Sequence, residues 1–236
     1  MPTFVLVHGS FCGGWFWRLV APMLRSFGHE VYTPTLTGLG ERSHLLSCGV
    51  DLNTHIEDVT NLLFYEDLSR VTLVGHSYSG MVITGVAAKT PERIAKLVYI
   101  DAYVPMDGQS EVDIWPPEDS AGHLFARPSS SDEMRPPPPP SVFGIDDREM
   151  SEWVSKRLTP HPMSTYMQAP PASSPASRSI PRAYIRCTVG ELRHIMAPFA
   201  TRALSEGWEV REIASGHDPM ITHPKELSKI LNELAA

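Results

Sequence analysis

Six short strand-like runs, separated by stretches with helical spacing, constrain this 236-residue chain more than any other feature. Thr3–Val7 (TFVLV), Val71–Val74 (VTLV), Lys96–Ile100 (KLVYI) and Ala183–Cys187 (AYIRC) are nearly continuous apolar segments. Strands of that kind have both faces covered, as in a parallel sheet. Glu30–Thr33 and Trp208–Ile213 complete the set. Helical spacing follows over Trp15–Phe27, which Gly28 ends, over Asp51–Phe64, over the small-residue segment Met81–Lys89, near Pro198–Ser205, and from Pro224 onward. The expected class is therefore α/β: a six-stranded, mostly parallel sheet with helices on both faces.

The alternation stops from about Val104 to Pro181. That interval holds most of the 22 prolines, including Pro136–Pro140. A polyproline run cannot form a central strand or a helix interior. Arg148–Leu158 nevertheless reads as an amphipathic helix, and Trp115, Phe125, Phe143 and Tyr166 are apolar anchors. The expectation is a Pro-rich cap, residues 104–181, inserted into a core made of residues 1–103 and 182–236.

Chemistry concentrates where the third strand meets its helix, at Gly75-His76-Ser77-Tyr78-Ser79-Gly80. A tight strand-to-helix turn of small residues around a serine is a nucleophile elbow, G-x-S-x-G, with Ser79 at the last position. A serine hydroxyl needs a base to take its proton, and in such folds the order is serine, acid, histidine. His217, in Ser215-Gly216-His217 after the last strand, fits better than His223, which adjoins Pro224. Two acids are candidates for orienting the imidazole. Asp101 directly follows an apolar strand, where a carboxylate is costly without a partner. Glu191 lies in a more polar loop. Asp101 is the expected partner and Glu191 the alternative. The amide of Tyr78 supplies one oxyanion donor; the other comes from His8-Gly9-Ser10-Phe11, with Ser10 expected and Phe11 the alternative. Phe11, Trp15, Tyr78 and Trp115 are expected to wall a substrate pocket. His8 reads as a structural group or a pocket wall, and His76 as a group packed beside the turn.

FVLVHGSFCGGWFW, GHSYSGMV, LVYIDAYVPMDGQS and SGHDPMITHP together resemble the α/β-hydrolase superfamily. The resemblance is to its small esterases, the group of plant methyl-ester esterases, hydroxynitrile lyases and bacterial carbamate and pyrethroid ester hydrolases. It covers the sheet domain and carries the nucleophile to Ser77, the base to His217 and the oxyanion donors to Ser10 and Tyr78. It implies a cofactor-independent hydrolysis of small carboxylic or carbamate esters through an acyl-enzyme. Many relatives place an aspartate after the penultimate strand, where CTVGELRHI offers only Glu191. The lyases carry a threonine where this chain has Gly9 and a lysine where it has Asp218, which leaves lyase chemistry and a non-catalytic receptor as the alternatives.

The remaining composition excludes other classes. A net charge of −7 without a Lys/Arg run argues against nucleic acid as a partner. No apolar run reaches the ~18 residues of a membrane span, and the N-terminus lacks a signal-peptide pattern. The three cysteines, Cys12, Cys48 and Cys187, form no CxxC pair, and HExxH is absent. A disulfide framework and a metal site are not expected, and neither is a nucleotide, since HGSFCGG lacks phosphate-loop spacing. The expected partner is a small ester or carbamate in a cytoplasmic setting, with a homo-oligomer left open.

Overall fold

The strands form because each apolar run is covered on both sides. In the computed structural model, which describes residues 2–235 apart from 48, 117–125, 127 and 128, side chains alternate between two cores. Val5, Val7, Leu73, Leu97, Tyr99 and Tyr184 face one core. Phe4, Leu6, Val74, Val98, Ile100 and Ile185 face the other. Phe125 and Cys48 lie outside the described residues.

The chain runs β1 (Thr3–Val7), α1 (Ala21–Ser26), β2 (Glu30–Tyr32), α2 (Leu52–Tyr65), β3 (Val71–His76), α3 (Ser79–Lys89) and β4 (Ile94–Ile100). Then come β5 (Met134–Arg135), α4 (Arg148–Ser155), β6 (His161–Pro162), α5 (Ser164–Met167) and α6 (Pro175–Arg178). The sheet resumes with β7 (Arg182–Cys187), α7 (Arg193–Ser205), β8 (Glu209–Ile213), α8 (Pro219–Thr222) and α9 (Pro224–Leu234). Six strands pair in the order β2-β1-β3-β4-β7-β8, all in parallel. Helices α2, α3 and α7 cover one face, and α1 and α9 the other. Residues 104–181 contain the separate two-stranded β5–β6 ladder and the helix α4.

Two helices differ from the sequence reading. The Trp15–Phe27 segment divides into a 3-10 turn, Gly14–Trp17, and α1. Pro22 sits in the first turn of α1, where its missing N–H costs nothing, so the α-helix starts there. Helix α7 begins five residues before Pro198 and carries that proline inside. Helix α2 starts as expected, because the Asp51 carboxylate accepts the Thr54 amide at 2.9 Å. Cys12 and Cys187 are free and buried. Among the described residues no helix is long and apolar enough to cross a membrane.

The β3–α3 turn explains its own sequence. A Cβ on Gly80 would lie 1.9 Å from the Tyr103 carbonyl oxygen, so that position must be glycine. Ser79, by contrast, has a use for its side chain: its hydroxyl donates to the His8 carbonyl and ties the elbow to the end of β1. The departure from G-x-S-x-G is therefore a substitution of a cross-link for a small spacer. Gly80→Ala is expected to destabilise the fold by about 3 kcal/mol or more, since backbone must move to admit the methyl. Chemical denaturation measures it; an unchanged midpoint would contradict the packing.

Candidate active site

Ser77 leaves the end of β3 with φ of 55°, a left-handed conformation that a non-glycine residue holds only under constraint from its surroundings. That constraint is cross-strand. The Ser77 amide donates to the Ile100 carbonyl at 3.2 Å, and the Tyr103 amide donates to the Ser77 carbonyl at 3.2 Å. Because His76 pairs with Ile100 in the β3–β4 register, Ser77 and Asp101 emerge side by side. Asp101 also has positive φ, 41°, and is 1% exposed.

His217 reaches both from the loop after β8. Its Nδ1 lies 2.7 Å from Asp101 Oδ2, and its Nε2 lies 2.9 Å from Ser77 Oγ. The carboxylate can only accept, so Nδ1 carries the proton and Nε2 presents its lone pair to the serine hydroxyl. The second carboxylate oxygen, Asp101 Oδ1, accepts the Cys187 amide at 3.1 Å. His76 Nε2 donates to the His217 carbonyl at 2.8 Å, and the Phe143 ring stacks on the imidazole at 5.9 Å. The structure thus brings Ser77, His217 and Asp101 together. Glu191 is exposed, and both ring nitrogens of His217 are already engaged elsewhere. His223 stands at the start of α9, against the Thr222 hydroxyl.

The loop after β1 separates the two oxyanion candidates. The Phe11 amide donates to His161 Nδ1 at 3.3 Å and is unavailable. The Ser10 and Tyr78 amides donate to no described residue.

A cleft of about 640 Å³, mouth included, opens over Ser77. Phe11 and Trp115 line it, and seven lining residues, Phe143 and Tyr166 among them, come from residues 104–181. Trp15 does not line it. The 3-10 turn directs its ring away, onto Trp153 of α4 at 5.2 Å, beside a separate surface depression. The Tyr78 side chain also turns from the cleft: it is fully buried, with its hydroxyl 2.8 Å from His55 Nδ1. His55 Nε2 is taken by the Thr37 carbonyl at 2.9 Å, so the tyrosine is the donor. Residues that the sequence reading did not single out also line the cleft, notably Glu111, Arg135 and Leu192. None carries a local motif; their place depends on how residues 104–181 fold back.

Burial dominates the electrostatics. It lowers the pKa of His217, but the hydrogen bond to Asp101 and the charges of Asp101 and Asp218 outweigh it, and the net value lies above 6.5. Burial pushes Asp218 up to about 7, with Asp101 adding to the rise and His217 opposing it. Burial holds His8 near 4, so its ring is neutral. It accepts the Leu36 amide and donates to the Gly9 carbonyl, a structural role. Burial raises Glu111 to about 8, and its Oε1 accepts the Trp115 indole N–H at 3.1 Å. Among the described residues one close group of metal-ligand types occurs, His76, His217 and Asp218. Both nitrogens of His217 and the Nε2 of His76 are already hydrogen-bonded within the protein, a poor donor set for an ion.

Residues 4–230 match the family described as Alpha/beta hydrolase. The chain is 39% identical over 247 residues to a carbendazim hydrolyzing esterase of Nocardioides sp. strain SG-4G, covering 99% of this chain and 100% of that one. It is 26% identical to putative methylesterase 13, chloroplastic, of Arabidopsis thaliana, covering 98% of this chain and 56% of the relative. Its fold superposes on an extracellular alpha/beta-hydrolase from a Paenibacillus species with a TM-score of 0.85 at 26% identity, over 100% of this chain and 99% of the other. Family match, full-length similarity and shared fold agree: this chain belongs to the alpha/beta hydrolase family.

Proposed function

We propose that the protein is a cofactor-independent serine hydrolase of small carboxylic or carbamate esters, with Ser77 as nucleophile, His217 as base and Asp101 as its acid. The observation that carries this reading is the unbroken hydrogen-bond chain from Asp101 through His217 to Ser77, at 2.7 and 2.9 Å. Similarity to the Nocardioides esterase and to plant methylesterases supports the class of bond cleaved.

In this reading His217 Nε2 takes the hydroxyl proton as Ser77 Oγ bonds to the substrate carbonyl carbon. The Asp101 carboxylate stabilises the imidazolium that forms. The carbonyl oxygen, now negative, is held by the amides of Ser10 and Tyr78. His217 then gives its proton to the leaving alcohol as the ester C–O bond breaks, and an acyl-serine remains. Water, deprotonated by the same imidazole, cleaves the acyl group from Ser77. Residues 104–181 act as a cap that supplies much of the pocket wall. The buried carboxyl of Asp218, where the lyases carry lysine, disfavours release of an anion such as cyanide. Cys12 and Cys187, free and buried among the described residues, are compatible with a reducing, cytoplasmic setting.

A fluorophosphonate probe is expected to label Ser77, and p-nitrophenyl esters of increasing chain length and aryl carbamates are expected to turn over. A folded protein that neither labels nor hydrolyses any of them would overturn the reading.

The pH profile follows from the His217 environment. Only the neutral imidazole accepts a proton, so kcat/KM should fall as pH drops through a midpoint above 6.5. Asp218→Asn removes one of the charges that raise this value, so the midpoint should move down. Asp218 itself titrates near 7, which makes the wild-type limb a property of the pair. A midpoint that rises in the variant would contradict the assignment.

A further inference from the structure

One buried acid beside the reacting atoms has no part in the hydrogen-bond chain described above. Asp218 is 3% exposed and lines the cleft over Ser77. One of its carboxylate oxygens lies within 4.8 Å of a ring nitrogen of His217 and of one of His76. Its Oδ1 lies 3.5 Å from His76 Nε2, which donates instead to the His217 carbonyl. Among the described residues the Asp218 carboxyl makes no hydrogen bond. The carboxyl keeps a little exposure, toward the cleft it lines, where a ligand can supply the donor that the protein does not.

The position of the reacting carbonyl identifies that donor. With the carbonyl carbon at Ser77, the carbonyl oxygen between the Ser10 and Tyr78 amides and the leaving oxygen toward His217, one substituent remains. In a carboxylic ester it is carbon; in a carbamate it is an N–H, one bond from the reacting carbon. That hydrogen needs an acceptor within a few ångströms of Ser77 and His217. Both Asp101 oxygens are occupied. His76 Nδ1 also lacks a partner, but it is sealed in the interior, with a Cβ on Gly9 calculated to fall 2.8 Å from it. Glu111 Oε1 accepts the Trp115 indole and its Oε2 has no partner, but Glu111 belongs to the 104–181 side of the cleft, not to the loop that carries His217.

We propose that Asp218 is a specificity-determining residue whose carboxyl accepts the N–H attached to the scissile carbonyl, so that the site prefers N–H carbamates to carboxylic esters of the same shape. This rests on the ester-hydrolase reading above. Burial of Asp218 near neutral pKa keeps it able to serve as an acceptor on the alkaline side of the pH profile.

The test uses three substrates of nearly equal size: methyl N-phenylcarbamate, methyl phenylacetate, in which CH₂ replaces NH, and methyl N-methyl-N-phenylcarbamate, which has no N–H. Rates are measured on the alkaline plateau of the wild-type kcat/KM profile, where a further rise in pH no longer changes the rate. Asp218→Leu is expected to lower kcat/KM for the N–H carbamate by about 10- to 100-fold more than for the other two, the range for one hydrogen bond to a charged group. Asp218→Asn keeps an acceptor oxygen and should retain most of the preference, which keeps the proposal testable if the leucine variant does not fold. Equal losses on all three substrates would mean that Asp218 acts only through the charge of His217, and would overturn the proposal. So would an unchanged ratio in both variants, or a wild type that cleaves the phenylacetate and not the carbamate. Failure of the hydrolase reading is read separately, from p-nitrophenyl acetate turnover that persists in Ser77→Ala.

Discussion

Ser77→Ala will lower ester hydrolysis by about 10⁶-fold, the loss found when the nucleophile of a serine-protease triad is removed. The substitution deletes one oxygen and leaves its surroundings in place. Backbone bonds from Ser77 to Ile100 and Tyr103 hold the turn, and Ser79, not Ser77, cross-links it to His8. The folded state should therefore survive. A left-handed φ is as costly for alanine as for serine, so the melting temperature should change little. His217→Ala should be about as damaging, because nucleophile and base act as a unit and the double variant should be no worse than either single one. Turnover of p-nitrophenyl acetate measures the loss. Wild-type rates in either variant, or a larger loss in His223→Ala than in His217→Ala, would remove the assignment.

Asp101→Asn will cost about 10⁴-fold in kcat, as in the protease precedent. The structure gives a specific reason. The Cys187 amide donates to one side-chain oxygen of Asp101, and in asparagine only one oxygen remains. That oxygen will stay on the Cys187 amide, which turns the NH₂ toward His217 Nδ1. The imidazole must then accept at Nδ1 and carry its proton on Nε2, where it cannot take the hydroxyl proton of Ser77. The wrong tautomer, not a lost contact, is the expected defect, so melting should be near normal. Glu191→Gln, at an exposed site, should leave kcat within a few-fold of wild type. The reverse ranking would move the acid to the β7–α7 loop.

Much of this architecture was legible because each signal was local. Runs such as TFVLV and KLVYI read as doubly buried strands, and the structure alternates their side chains between two cores. The elbow was legible because a tight turn demands small residues at fixed offsets, and His217 because it follows the last strand. The apolar strand before Asp101 makes it the expected acid, with Glu191 kept as the alternative because sequence spacing does not say which carboxylate faces an imidazole 116 residues from Asp101. Long-range packing hid the rest. Trp15 read as a pocket wall, but a proline seven residues on breaks the expected helix and the ring meets Trp153 instead. The Phe11 amide read as a spare donor until His161, 150 residues later, took it. Glu111 and Arg135 join the cleft only through the fold of a proline-rich interval with no periodic pattern.

The location of the acid also bears on how this scaffold can diversify. Ser77 and Asp101 follow paired residues of adjacent central strands, so two members of the proposed triad share a rigid origin. The loop after β7 keeps its anchoring bonds at Thr188 and Val189 but carries no member of the proposed triad. Its next residues run from the exposed Glu191 to Leu192, which borders the cleft. The exposed Glu191 can therefore change in chemistry while the Asp101–His217–Ser77 hydrogen-bond chain stays intact. In descendants of this chain, or in a library built on it, new substrate ranges should arise there first.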